Sequence, residues 1–162
     1  MKHTCTTVLL ALCMLLCACE KEIAAEESKQ EQQIIPLDNG LKVSALTVAE
    51  AINVEAGTQV CIKAYIVAST QRSMSNCDYT APFEGSSAIV LADKPVGQSD
   101  TDNGVDSQLM PVCLTDRKKA REALNLTDNP QNWNHLIYIY GTRERYMSTD
   151  GLKKVESFEI VP

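Results

Sequence analysis

Apolar and polar side chains alternate along residues 58–69, where Val60, Ile62, Ala64 and Ile66 occupy every second position. This period of two, with β-branched side chains, predicts a strand that buries one face. Four more apolar segments predict strands, over residues 88–92, 109–114, 136–146 and 153–161. The polar stretches 70–86 and 93–108 between them predict two long loops.

Two short helices are predicted beside these strands. Thr47 and Glu50 form a T-x-x-E capping box, so we expect a helix that begins there and ends near Gly57. Asp116 is expected to cap a second helix over residues 116–126, which Asn129-Pro130 ends.

Two local signals predict how the strands end and connect. Pro111 has no backbone N–H, which predicts an edge position or a bulge for the third strand. Asp150-Gly151 predicts a tight turn between the last two strands.

The predicted elements follow one another as three strands, a helix and two strands. This order resembles that of the OB-fold, a five-stranded Greek-key barrel with its helix between the third and fourth strands. We therefore expect an all-β domain with one or two helices, in the order β-β-β-α-β-β. The predicted domain spans residues 44–162.

The first residues of the chain have the features of a secretory signal. Lys2 supplies a positive charge, and residues 8–18 form an apolar run that is too short to span a membrane as a helix. The run ends in Leu16-Cys17-Ala18-Cys19, which resembles a bacterial lipobox. That resemblance implies cleavage of residues 1–18 and lipidation of Cys19. The alternative is an ordinary signal peptide with incidental cysteines.

An acidic segment follows Cys19. Residues 20–33 hold five Glu and two Lys, a composition that predicts a flexible tether, which we extend over residues 19–43. Its start, Glu20-Lys21-Glu22, is similar to the export signals of Bacteroidetes surface lipoproteins. A simple solvated tether is the alternative.

The chain resembles a family as well as a fold. The segments that carry the resemblance are TVAEAI, KAYIVAS, LADKP, EALNLTDNP and YGT…GLKKV. Together with the lipobox they are similar to uncharacterised Bacteroidetes lipoproteins with an OB-like domain. The resemblance implies an outer-membrane lipid anchor, and it brings no catalytic residue and no cofactor.

Charge narrows the classes of partner. The net charge is −6 for the whole chain; without Lys2 it is −7, and the tether accounts for −3, which leaves −4 for residues 34–162. Tyr65, Tyr138, Tyr140 and Tyr146 lie near Lys and Arg residues, but a domain without basic excess is a poor nucleic-acid binder. The basic cluster of residues 117–121 fits either a solvated helix face or a membrane-surface patch.

Candidate catalytic and metal-binding residues are few. His135 is the one histidine after residue 18, and no nucleophile motif surrounds it, so we expect no enzyme. Cys61, Cys77 and Cys113 lack the short spacings of a zinc site, and a disulfide from Cys77 to either of the others stays open. Residues 100–106 are acidic and partly match a calcium loop, although an acidic solvated loop is the alternative.

These features predict a non-catalytic, lipid-anchored binding module of the cell envelope, without metal or cofactor, whose ligand is a glycan or an envelope protein. In OB-folds the second and third strands and the flanking loops bind ligands. Those loops are residues 70–86 and 147–152, and the candidate contacts are Arg72, Tyr79, Phe83 and Tyr146. The alternatives are an accessory subunit that docks through an apolar patch, and an enzyme that depends on His135 or a free thiol.

Overall fold

Five strands pair into one mixed sheet whose two ends meet. A computed structural model describes residues 37–97 and 108–161 of the chain. The predicted signal peptide, the lipidation site Cys19, most of the tether and the acidic loop 100–106 lie outside these described residues.

The strands are β1 (Gln59–Thr70), β2 (Ala88–Ala92), β3 (Met110–Cys113), β4 (Leu136–Tyr146) and β5 (Thr149–Ile160). Their spatial order is β1-β2-β3-β5-β4, and β4 pairs back to β1 to complete the ring. Along the chain they come as three strands, a helix and two strands. The prediction of a mostly β domain with few helices is confirmed.

β3 and β5 form the shortest strand pairing in the ring, and we call this pairing the seam. It is parallel and has Val112 opposite Leu152, whereas all other neighbouring strands are antiparallel. Pro111 lies in β3 opposite Val90, so β3 is flanked by β2 and β5 and is no edge strand. Proline, which has no backbone N–H, is tolerated in β3 because this strand forms few backbone hydrogen bonds across the seam.

Three short helices accompany the sheet: α1 (Asn39–Val43), α2 (Val48–Ala51) and α3 (Lys118–Leu124). The capping box is confirmed, since Thr47 accepts from the N–H of Glu50 and the Glu50 carboxylate accepts from the N–H of Thr47. The predicted cap at Asp116 is wrong. Arg117 occupies the N-cap of α3, while Asp116 accepts a hydrogen bond from the backbone N–H of Lys154 at 3.4 Å.

Residues 37–43, which the sequence assigns to the tether, are part of the packed structure. Leu37 is buried, and residues 39–43 form α1. Lys42 pairs with Glu159 on β5 and lies 5.8 Å from the ring centre of Tyr138. The polar composition of the segment hides these contacts, because one buried leucine and one paired lysine are enough to order a short stretch.

The predicted turn at Asp150-Gly151 is also wrong. The β4–β5 hairpin turns at Met147 and Ser148, whose φ values are 50° and 65°, and Tyr146 pairs with Thr149. Asp150 and Gly151 belong to β5. A two-residue loop with both φ angles positive has the geometry of a type I′ turn.

The core has two parts, one on each side of β2. Inside the ring, Ile89 and Leu91 pack with Ile62, Ile66 and the other apolar side chains of the main cluster. On the opposite face of β2, Val90 and Ala92 form a second cluster. The loops cover that second cluster with Met74, Cys77, Tyr79, Val96 and Leu109. The latter half of β1 is therefore buried on both faces.

Candidate functional site

The loop 70–86, predicted to bind a ligand, is folded back onto the sheet. Asp78 and Ser69 exchange backbone hydrogen bonds of 3.1 and 2.9 Å, and the Asp78 carboxylate accepts from the N–H of Glu84. The Thr70 hydroxyl donates to the carbonyl of Ser73 at 2.7 Å. Arg72 lies exposed at the bend with a φ of 67°.

The two aromatic candidates of this loop are structural. Phe83 is 7 % exposed, and its ring centre lies 6.3 Å from that of Trp133. Phe83 therefore packs in the core and presents little surface to a ligand. Tyr79 is half-buried over the second cluster. Burial and the neighbouring Cys77 thiol raise the pKa of Tyr79 to about 12.

Tyr146, the fourth candidate, lies at the end of β4. Burial raises the pKa of its phenol, and the neighbouring Cys113 thiol and Asp116 carboxylate raise it further. Gly151 makes room for this arrangement: a Cβ at that position would lie 2.8 Å from the Cβ of Tyr146. Tyr146 thus stands between the β4–β5 hairpin and the segment that leads into α3.

Two segments, one that contains Tyr146 and one that contains its neighbour Asp116, hold most of the basic residues of the domain. Residues 116–122 and 143–154 together hold eight Lys or Arg and four Asp or Glu, a balance of +4. The other described residues hold four basic and nine acidic side chains, a balance of −5. The hydrogen bond from Lys154 to Asp116 joins the two basic segments. We call the basic residues of these two segments, without the mostly buried Arg143 and together with Tyr146, the basic face: Arg117, Lys118, Lys119, Arg121, Arg145, Lys153 and Lys154, with Tyr146.

Three of the four acidic side chains in these two segments form ion pairs: Glu122, Glu144 and Asp150. The Glu144 carboxylate lies 3.3 Å from the Lys153 ammonium and 2.7 Å from that of Lys154. These hydrogen bonds lower the pKa of Glu144 and raise that of Lys154. One carboxylate shared by two ammonium groups leaves one positive charge in excess. Glu122 is paired with Lys118 at 3.6 Å.

Arg143 holds the hairpin from behind. Its guanidinium forms an ion pair with Asp150 and donates to the carbonyl of Ile52 at 3.0 Å. The Arg143 side chain is only 13 % exposed, so this pair serves structure rather than ligand contact.

Sequence inspection found half of the basic face. The cluster of residues 117–121 is visible as a run, and Lys153-Lys154 is visible in the segment GLKKV. Nothing in the sequence brings these two segments together, since more than thirty residues separate them. Their contact depends on the seam between β3 and β5 and on α3 packing against β5.

A second aromatic surface lies on β1 and β4. Lys42 and Lys63 lie 5.8 and 5.7 Å from the ring centre of Tyr138. The Tyr140 hydroxyl donates to Gln59, which in turn donates to Glu156. These groups satisfy one another across the strands, as cross-strand pairs in sheets do.

The three cysteines that the structure describes are free thiols. Cys61 and Cys113 are buried, Cys77 is half-buried, and burial raises the pKa of Cys61 to about 11.

His135 is exposed, and its backbone carbonyl accepts from the N–H of Ile66. Within residues 37–97 and 108–161, no three His, Cys, Asp or Glu side chains are grouped to hold a metal ion. In the same part of the chain, no helix is long and apolar enough to cross a membrane.

The fold is that of a small, mostly β domain in which two basic segments meet. Residues 46–161 match a family described as a domain of unknown function, DUF6359, and the chain belongs to that family. No curated protein matches the chain. Among solved structures, the chain is similar to the hypothetical protein ygiW from E. coli, with 15 % identity and a TM-score of 0.43. That match covers 73 % of this chain and 90 % of the other.

Proposed function

We propose that this chain is a non-catalytic, lipid-anchored module of the cell envelope that binds an acidic partner through the basic face. The observation that carries the proposal is the separation of charge, +4 across residues 116–122 and 143–154 against −5 elsewhere in the described domain. The two segments that hold this excess of cations meet in the structure through the hydrogen bond from Lys154 to Asp116 and through the packing of α3 against β5. Gathered cations attract and orient an anionic partner.

The anchoring part of the proposal is supported by the sequence of the first residues. The lipobox-like Leu16-Cys17-Ala18-Cys19 and the acidic segment after it fit a Bacteroidetes outer-membrane lipoprotein. The domain itself is, in this proposal, an OB-like barrel. Its ring of five strands, with α3 between β3 and β4 along the chain, supports that assignment.

Electrostatic binding is favoured over docking through an apolar patch. Among the described residues the one large hydrophobic side chain that is exposed is Val43. A single exposed side chain is ordinary and does not form a docking patch. The acidic partner, a glycan or an envelope protein, is therefore expected at the basic face, with Tyr146 as a polar aromatic contact and Arg72 outside it.

The proposal is tested by titrating fluorescent polyglutamate or an acidic oligosaccharide with the protein and measuring anisotropy. In the face variant, Lys119→Glu with Arg121→Glu, we expect binding to weaken about tenfold at an ionic strength of about 0.1 M, where the Debye length is about 10 Å, and further salt to reduce wild-type binding.

The matched control variant is Lys63→Glu with Arg72→Glu, which changes the net charge equally outside the basic face. It is expected to bind within about twofold of the wild type, because short-range contacts and not net charge dominate at a screened surface. Equal weakening in both variants, or weakening in the control variant alone, would contradict the proposal. The second result would place the site at the loop 70–86.

A further inference from the structure

We infer that the basic face also binds the anionic surface of the lipid bilayer to which the chain is proposed to be anchored. This inference rests on the proposed function, because it uses the same basic face and the same anchor, and it goes beyond that function by adding the bilayer as a second anionic surface. The contact orients the domain, with the basic face toward the phosphate groups of the lipids and the acidic remainder of the domain away from them.

Charge complementarity is the first argument. The basic face and the rest of the described domain have opposite balances, +4 and −5. An anionic plane attracts the first and repels the second, so both halves favour one orientation. Basic residues close to an anionic membrane surface each add to its attraction, and that attraction falls off within the Debye length.

The form of the basic face is the second argument. Its cations are spread over a helix and a hairpin, and many of their ends are exposed: the Lys118 side chain is 87 % exposed and that of Lys154 is 63 % exposed. Long, exposed cations suit a diffuse plane of charge, whereas a defined ligand would require fixed and desolvated donors. Tyr146, half-buried among them, is a residue type that lies well at a membrane–water interface.

The length of chain before the domain is the third argument. Seventeen residues, 20–36, separate the predicted anchor Cys19 from Leu37. Fully extended they reach about 60 Å, and a domain of this size is about 35 Å across. That length is enough for any face of the domain to be brought to the bilayer, and a lipid anchor would keep the bilayer at high effective concentration. The charge distribution then selects the face.

The test uses the lipidated full chain in vesicles of neutral phosphatidylcholine and in vesicles where phosphatidylglycerol replaces part of it. Exposed amines are labelled briefly, and the modified lysines are quantified by mass spectrometry. On the anionic vesicles we expect labelling of the lysines of the basic face to slow about threefold, while Lys63, outside the face, labels equally on both. Salt should remove the difference.

Variants and competitors separate the outcomes. The face variant should lose the slowing at its remaining lysines, and the control variant should keep it. Inorganic phosphate added to neutral vesicles should give no slowing; slowing by free phosphate would overturn the bilayer as the partner. Equal labelling on both vesicles would overturn the inference and leave the proposed function intact if the basic face still binds polyglutamate. If the slower labelling on anionic vesicles and the binding of polyglutamate are both absent, the inference and the proposed function are both overturned.

Discussion

Asp93 connects the end of β2 to the start of α2. Its two carboxylate oxygens accept from the backbone N–H groups of Val48 and Ala49, at 2.5 and 3.0 Å. These N–H groups have no partner within so short a helix. A charged acceptor from a distant strand therefore completes the cap that Thr47 and Glu50 begin.

Replacement of Asp93 by Ala is expected to lower the free energy of unfolding by about 1 to 2 kcal/mol, because two partly buried N–H donors lose their acceptor. Urea denaturation measures the change. The matched control is Asp38→Ala, since Asp38 occupies the N-cap of α1 without a side-chain hydrogen bond. A loss at Asp38 as large as that at Asp93 would contradict this account.

Cys61 is expected to make the stability of the domain change with pH in the alkaline range. Burial raises its pKa from the ordinary 9.0 to about 11, although the nearby Lys42 opposes the shift. The folded state thus holds the thiol proton more tightly than the unfolded chain. This contribution is complete below pH 9 and is lost as the pH rises through 11.

We therefore expect the free energy of unfolding to fall between pH 9 and pH 11, and to fall less steeply in Cys61→Ala. Urea denaturation at several pH values, with a reductant present, measures both slopes. Tyr79, with a pKa raised to about 12, adds to the loss above pH 10 in both proteins. Identical slopes in the two proteins would show that Cys61 does not contribute to the pH dependence of the free energy of unfolding.

At the scale of elements, the β4–β5 hairpin shows how a local signal can mislead. Asp-Gly is a strong type I′ turn signal, yet the turn lies at Met147-Ser148. Gly151 is needed in β5 for a different reason. A Cβ there would lie 2.8 Å from the carbonyl oxygen of Pro111, across the seam. Local propensity cannot distinguish a glycine required by a turn from one required by close packing.

The actual turn is strained, since neither Met147 nor Ser148 is a residue that favours positive φ. Replacing the pair by Asn-Gly, the sequence preferred in type I′ turns, is expected to raise the free energy of unfolding by about 1 kcal/mol. Thermal or urea denaturation measures the gain. Ser75→Gly, at an exposed position without positive φ, should lower stability instead. A lower free energy of unfolding in the Asn-Gly variant would contradict the strain assigned to Met147 and Ser148.

The elements that the sequence predicts best are those whose signal lies within a few residues. The bounds of β2 and β4 agree with the prediction, and the capping box at Thr47 forms as expected. Phe83 and Leu37 were misjudged because both lie in polar segments, and only the folded chain brings the core to them. The same holds for Asp116, whose partner Lys154 comes from another strand.

At the scale of the molecule, the candidate site could be predicted only in part, because its residues come from segments that are distant in the sequence. Tyr146 and the cluster at 117–121 were visible in the sequence as separate features, and Lys153-Lys154 was not recognised as part of a site. Their union depends on closure of the ring, which no local pattern encodes. Arg72 and Tyr79, the candidates on the loop 70–86, are respectively exposed and half-buried over the second cluster.

The seam is the place where the ring is most sensitive to substitution. Gly151→Ala is expected to lower the free energy of unfolding by about 2 to 3 kcal/mol, because the new methyl group meets backbone rather than a flexible side chain. Gly40→Ala is the control: its Cβ would meet only the carboxylate of Asp38, within α1, where alanine is the better helix former. Equal losses would contradict the role of the seam.

Ring closure across the seam also determines the order in which the molecule can fold. β1, β2 and β3 are joined in sequence by antiparallel pairs, and so are β4 and β5, so each group can form from contacts between successive strands. Val112 and Leu152, by contrast, meet across the 39 residues 113–151. That loop-closure entropy is repaid by very few hydrogen bonds. The long β1–β4 pairing is therefore expected to precede the seam, and the basic face to assemble in the last step of folding.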